Sequence, residues 1–186
     1  MPLALCSACF SSDCYDSSCL PTLNNTPSNQ RSDNTNDAAW TGFTGGSSAS
    51  DILSYFPSGC SKKGGAPIPT LTAGTDTINL NNGQVTQQVL QAIQCLVCPP
   101  ISTPSFLVAV FSCDTCGGPL NQSAQVVGFA TISVISFNFA NGQPPQLCGG
   151  ESGALQSMNV QAVFNTTVTG PPGGGNFGTL SVYLVG

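Results

Sequence analysis

The stretch QVVGFATISVISFNF, Gln125 to Phe139, decides the fold class. It is long and rich in β-branched and aromatic residues, a composition that packs well on a pleated sheet. Upstream of it, Ser105 to Phe111 is a continuous apolar run and reads as another strand, separated from the first by the Gly/Pro loop Cys113 to Leu120. Downstream, Val160, Ala162, Phe164, Thr166 and Val168 alternate with polar Gln161, Asn165 and Thr167. Leu180, Val182 and Leu184 alternate in the same way with Thr179, Ser181 and Tyr183. That period of two predicts two half-buried antiparallel strands, with the Gly173 to Gly175 loop as a hairpin connection.

Nearer the N-terminus the period changes. Val85, Val89, Ala92, Ile93 and Leu96 form one stripe with glutamines on the other face, predicting a helix over 84–98. Pro99 and Pro100 stop it, because proline cannot donate to the ladder and constrains its predecessor. Asp76 to Leu80 reads as a short strand ahead of the turn Asn81-Asn82-Gly83. Ala49, Ile52, Leu53 and Phe56 predict a helix over 49–56, ended by Pro57 and Gly59. The expected fold is α+β: a mostly antiparallel sheet with two short helices packed on one face. Trp40, Phe43, Phe129 and Phe137 are expected in its core, since large aromatics supply the most burial per residue.

The chain has 186 residues, enough for one domain or one domain with an arm. Charged residues make up 6% of it, against roughly 25% in ordinary globular proteins. Apolar residues make up 40%, so the chain is a folding one and not a charge-driven disordered one. Arg31, Lys62 and Lys63 are the only basic residues and the formal charge is −5, which leaves no patch able to neutralise phosphates. Nucleic acid and anionic membranes are excluded as partners on that ground. Histidine is absent, which removes the usual general base, the commonest metal ligand and the histidine-dependent nucleophile pairs. No enzymatic activity and no cofactor is expected.

Residues 1–36 begin with Cys6, Cys9, Cys14 and Cys19 and continue as a polar run, so they read as an arm held by cross-links; residues 37–186 read as the domain proper. No apolar stretch approaches the 18 or so residues of a membrane helix. Met1 to Phe10 lacks the basic start and apolar run of a signal peptide, so any targeting segment is expected to lie outside this sequence, with Met1 internal to a longer precursor.

Ten cysteines, Cys6, Cys9, Cys14, Cys19, Cys60, Cys95, Cys98, Cys113, Cys116 and Cys148, are an even number in a small chain. They argue for disulfides in an oxidising compartment, extracellular or at the cell surface. Three Cys-x-x-Cys pairs, Cys6/Cys9, Cys95/Cys98 and Cys113/Cys116, would also suit tetrahedral zinc, but the composition favours disulfides. A thioredoxin-like role is disfavoured, since Cys95 and Cys98 fall at the C-terminal end of their helix, where the dipole opposes thiolate. Connectivity cannot be read from spacing. The acidic cluster Asp33 to Asp37 lacks the glycine and terminal glutamate of a calcium loop and reads as solvated. Lys62 and Lys63, in a polar Gly-rich loop, read the same way.

Four segments resemble a family: NDAAWTGFTGGSSASDILSYFPSGC (Asn36 to Cys60), GTDTINLNNGQVTQQVLQAI (Gly74 to Ile93), FLVAVFSCD (Phe106 to Asp114) and VVGFATISVISF (Val126 to Phe137). In pieces and in order they are similar to the C-terminal extracytoplasmic region of TadG-like proteins of the tight-adherence (Flp) pilus system. The resemblance covers roughly Asp37 to Val185. It implies an envelope-associated or secreted accessory of a bacterial surface appendage, with no catalytic residues to carry over. The expected function is that of a structural or assembly protein, a subunit or accessory of a pilus-like filament, with partners in itself or in other envelope proteins. The alternative is a carbohydrate- or surface-binding adhesin module presenting Trp40, Tyr55 or Tyr183 for stacking.

Overall fold

The computed structural model describes residues 1–8, 22–24, 38–81, 87–103, 105–114, 123–139, 144, 146–148, 155–164 and 179–180. Along them run β1 (Leu3–Cys6), β2 (Thr22–Asn24), β3 (Ala38–Thr41), α1 (Ala49–Ser54), β4 (Leu71–Thr72), β5 (Thr77–Asn81), α2 (Gln87–Val97), β6 (Phe106–Phe111), β7 (Ser123–Phe139), β8 (Leu155–Phe164) and β9 (Thr179–Leu180). The architecture is α+β, as the sequence implies. A mostly antiparallel seven-stranded sheet has the order β2-β8-β7-β5-β3-β1-β6. Helix α2 packs on β8 and α1 on α2.

The long strand β7 organises the sheet because different neighbours use its two halves. Gln125 O accepts from Ser112 N beside β6, while Val126 N donates to Asp76 O and Val126 O accepts from Gly74 N, on the β5 side. Successive residues of a strand direct their peptide groups to opposite edges, so β5 and β6 flank β7 on opposite sides. The pairings β5–β3, β3–β1, β1–β6 and β6–β7 then close a five-membered ring. Closure was not legible in the sequence. From Ala130 onward β8 takes over the edge that β5 leaves, and β2 pairs with the far side of β8. The β7–β8 register shifts between Val134 and Ser136, so Ile135 has no partner across the ladder and is 43% exposed.

The first six residues correct the reading of 1–36 as an arm without a core. Leu3, Ala4, Leu5 and Cys6 are all buried, and β1 lies between β3, antiparallel, and β6, parallel. Met1 to Cys6 is a short apolar run, the form that a strand takes when both its faces are covered. Four residues are too few to show a period, which is why the cysteines dominated their reading. Of the rest of that segment, Thr22 to Asn24 forms the outer strand β2.

A second correction concerns the C-terminal strands. Strand β8 has β7 and β2 as its neighbours, while β9 pairs with β4 through Leu71↔Leu180 and Thr72↔Thr179. Among the described residues the two alternating segments do not pair with one another. Alternation fixes which face of a strand is buried and leaves its partner unspecified. Residues 165–178 and 181–186 lie outside the described residues.

Both helices follow from local rules. At α1, Asp51 N donates to Ser48 Oγ at 3.2 Å and Ser48 N donates to Asp51 Oδ2 at 3.0 Å, a reciprocal capping box. In α2, Val89, Leu90, Ala92, Ile93, Leu96 and Val97 are buried, and Gln88 and Gln91 are exposed. Between β3 and α1 the chain folds back tightly: a Cβ added to Gly42 would lie 1.6 Å from Gly46 O, so only glycine fits. Buried Thr41 is satisfied there, its Oγ1 donating to Asn79 O and accepting from Phe43 N, each at 2.8 Å. Trp40, Phe43, Phe129 and Phe137 are all in the core, as expected.

If β1 is a core strand, Leu5→Ala should destabilise the protein by roughly 2–5 kcal/mol, read as a lower denaturant midpoint under non-reducing conditions. A loss below about 0.5 kcal/mol, the range of a surface change, would return residues 1–6 to the periphery.

Candidate functional site

The chemistry that the fold concentrates is sulfur. Among the described residues, Cys6 is bonded to Cys113, Cys60 to Cys95 and Cys98 to Cys148, with Cα separations of 5.7, 5.6 and 5.6 Å. Cys6–Cys113 fastens the end of β1 to the residues just past its parallel neighbour β6, and Ala8 N donates to Cys113 Sγ at 3.4 Å. Cys60–Cys95 ties the loop after α1 to α2. Cys98–Cys148 ties the end of α2 to the segment in which Gln146 bridges to Phe137 of β7. Cys9, Cys14, Cys19 and Cys116 lie outside the described residues.

These pairings bear directly on the Cys-x-x-Cys motifs. Cys95 and Cys98 belong to two different disulfides, and Cys6 and Cys113, from two other motifs, are bonded to each other. No group of three or more His, Cys, Asp or Glu suited to a metal occurs among the described residues. The six cysteines among the described residues are committed to covalent bonds.

The aromatic candidates are not brought together. Trp40 is 5% exposed and belongs to the core, which corrects its reading as an interaction ring: in β3 it pairs with Leu3 on one side and Asn81 on the other. Tyr55 is half-buried, its OH donates to Gly42 O at 3.2 Å, and its ring meets Phe43 edge-on with centroids 4.9 Å apart. It braces the tight loop. Tyr183 lies outside the described residues, as do Asp33, Asp37 and Glu151. Lys62 and Lys63 are exposed, as expected, and Lys63 Nζ donates to Ser50 Oγ at 2.8 Å.

One ionisable group escaped the sequence reading. The Met1 amino group is buried, donates to Leu107 O at 3.1 Å, and is pushed from 8.0 down to about 5 by desolvation. Only its place at the start of a buried apolar run could have signalled this. Among the described residues, Ile101, Ile135 and Leu147 are the large apolar side chains left exposed. Ile101 follows Cys98 by three positions and Leu147 precedes Cys148. No helix among the described residues is long and apolar enough to cross a membrane.

Comparison with protein-family models, with curated proteins and with solved structures finds no match to this chain.

The disulfides close separations of 107, 50 and 35 residues, and in the chain-entropy account each contributes roughly 4–5 kcal/mol, more for longer loops. Replacing Cys6 and Cys113 together by alanine should therefore lower the denaturant midpoint more than replacing either other pair. An equal or smaller loss would show that loop length does not set the ranking.

In the 186-residue chain that begins at Met1, the buried amine yields a pH dependence. Between about 5 and 8.0 it is neutral in the folded chain and protonated in the unfolded one, so the unfolded state binds the additional proton and stability rises with pH across that window. The full rise is worth roughly 4 kcal/mol. With no histidine in the chain, no side chain of ordinary pKa competes between pH 5.5 and 8. Denaturation midpoints should climb from pH 5.5 to 8 and flatten on acetylation of the amine; a flat profile in the unmodified chain would overturn the assignment.

Proposed function

We propose that this is a secreted or cell-surface structural protein, a subunit or accessory of a pilus-like extracellular filament. The observation that carries the reading is the disulfide framework, which joins strands, helices and loops far apart in the chain. Such cross-links persist where the surroundings are oxidising. A chain with this much glycine and proline gains from them resistance to unfolding outside the cell.

Two further features support an assembly role. Strand β2 stands at the end of the sheet order, which suits strand addition by a neighbouring copy. The low charge, with three basic and eight acidic residues, limits repulsion between closely packed copies. Thr179–Leu180 is paired within the chain to Leu71–Thr72 and would have to leave β4 to serve a neighbour as a donor strand. The adhesin alternative loses its principal ring to the core in Trp40.

Self-association tests the proposal. Sedimentation velocity and negative-stain microscopy on non-reduced protein should show oligomers or filaments that grow with concentration. Monomers alone, at every concentration and with or without reductant, would overturn it.

A further inference from the structure

Cys95 lies near the end of α2 and Cys98 just past it, yet the helical ladder still includes Cys98, whose N–H donates to Gln94 O at 3.0 Å. Residues three apart on such a ladder have Cα atoms about 5 Å apart, within the separations that a disulfide spans. Each cysteine is nonetheless bonded outward, Cys95 to Cys60 and Cys98 to Cys148. Two disulfides thus stand on one helical turn.

The helix end gives that exchange a direction. Negative charge is disfavoured at a helix C-terminus, and the carbonyl oxygens of Gly59 and Leu147 lie 3.9 and 3.2 Å from the Sγ atoms of Cys95 and Cys98. Both effects disfavour a thiolate left on the helix, so a Cys98 thiolate released there gains by passing its charge outward to Cys60, on a segment outside the helix. Cys148 is exposed and Cys98 half-buried, so a reductant meets Cys148 first.

We propose that Cys95 and Cys98 form a disulfide-exchange relay, in which a dithiol reductant arriving at Cys148 converts the Cys60–Cys95 and Cys98–Cys148 bonds into a single Cys95–Cys98 bond. A thiolate of the reductant attacks Cys148 Sγ, and Cys98 leaves as a thiolate. The reductant's second thiol then closes its own disulfide, and Cys148 leaves and takes a proton. Cys98 attacks Cys95 Sγ; the Cys95–Cys98 bond forms, the Cys60–Cys95 bond breaks, and Cys60 leaves and is protonated. Two electrons and two protons pass from the dithiol to Cys60 and Cys148, and no other oxidant or reductant is needed. The loop at Cys60 and the segment at Cys148 are freed from α2 together, whereas Cys6–Cys113, with Cys6 fully buried, continues to staple the ring.

The Cys148→Ser variant tests the second step without any reductant, because Cys98 then begins as a thiol. After incubation at pH 8, alkylation with N-ethylmaleimide and peptide mapping should place the label on Cys60 in most molecules, with Cys95 and Cys98 joined. Label retained on Cys98, with Cys60–Cys95 intact, would overturn the relay. The unaltered chain gives an independent measurement: under limiting dithiothreitol, Cys60 and Cys148 should become labelled in parallel while Cys95 and Cys98 stay protected. Parallel labelling of Cys98 and Cys148 would refute it.

Discussion

The closure of the ring by β1 is the constraint on which the rest of the structure depends. Leu3 to Cys6 are buried, so their peptide groups have no water to turn to and must find partners on both edges. They find them in Ala38 to Trp40 on one side and Ala109 to Phe111 on the other. With β1 in place the edges of β3 and β6 are both covered, and β7 can carry β5 and β6 on opposite sides. Cys6–Cys113 holds the parallel junction, the place where neither strand is linked to the other by a short turn.

The elements with a strong period were the legible ones. The apolar stripe of α2, the helical spacing of Ala49, Ile52, Leu53 and Phe56, and the runs at Phe106 and Val126 each state their form over several residues, and the structure has them within a few positions. What stayed hidden was partnership. The β1–β6 pairing joins Ala4 to Ala109 with nothing local to announce it. Trp40 reads first as a core residue and in the alternative as a surface ring, and the place of β3 inside the ring decides for the core. For the cysteines, Cys-x-x-Cys spacing suggests that neighbours act together, yet the tertiary fold gives Cys95 and Cys98 separate partners.

The cross-links and the hydrogen-bonded ladder divide the molecule between them. Cys60 lies in a loop, and among the described residues the segment with Cys148 meets the sheet at the bridge from Phe137 to Gln146. At the Cys60 loop local turns hold the backbone, with Cys60 N donating to Pro57 O at 2.9 Å and Gly65 N to Phe56 O at 2.7 Å, and sulfur adds the link to α2. Few charges are present to attract or repel at a distance, so order in the loops comes from glycine geometry, as at Gly42, and from amide side chains such as Asn79 and Asn81, whose Nδ2 atoms donate to Gly45 O and Ser47 O.

The position of β1 also dictates an order of events. A ribosome or an export channel releases Leu3 to Cys6 early, but their parallel partner does not exist until Phe111 has followed, over a hundred positions later. The antiparallel partner β3 follows far sooner, so one edge of β1 can pair while the other waits for β6. Maturation therefore waits on a long-range encounter, the kind of contact that slows folding, and the second edge of β1 stays uncovered throughout that interval.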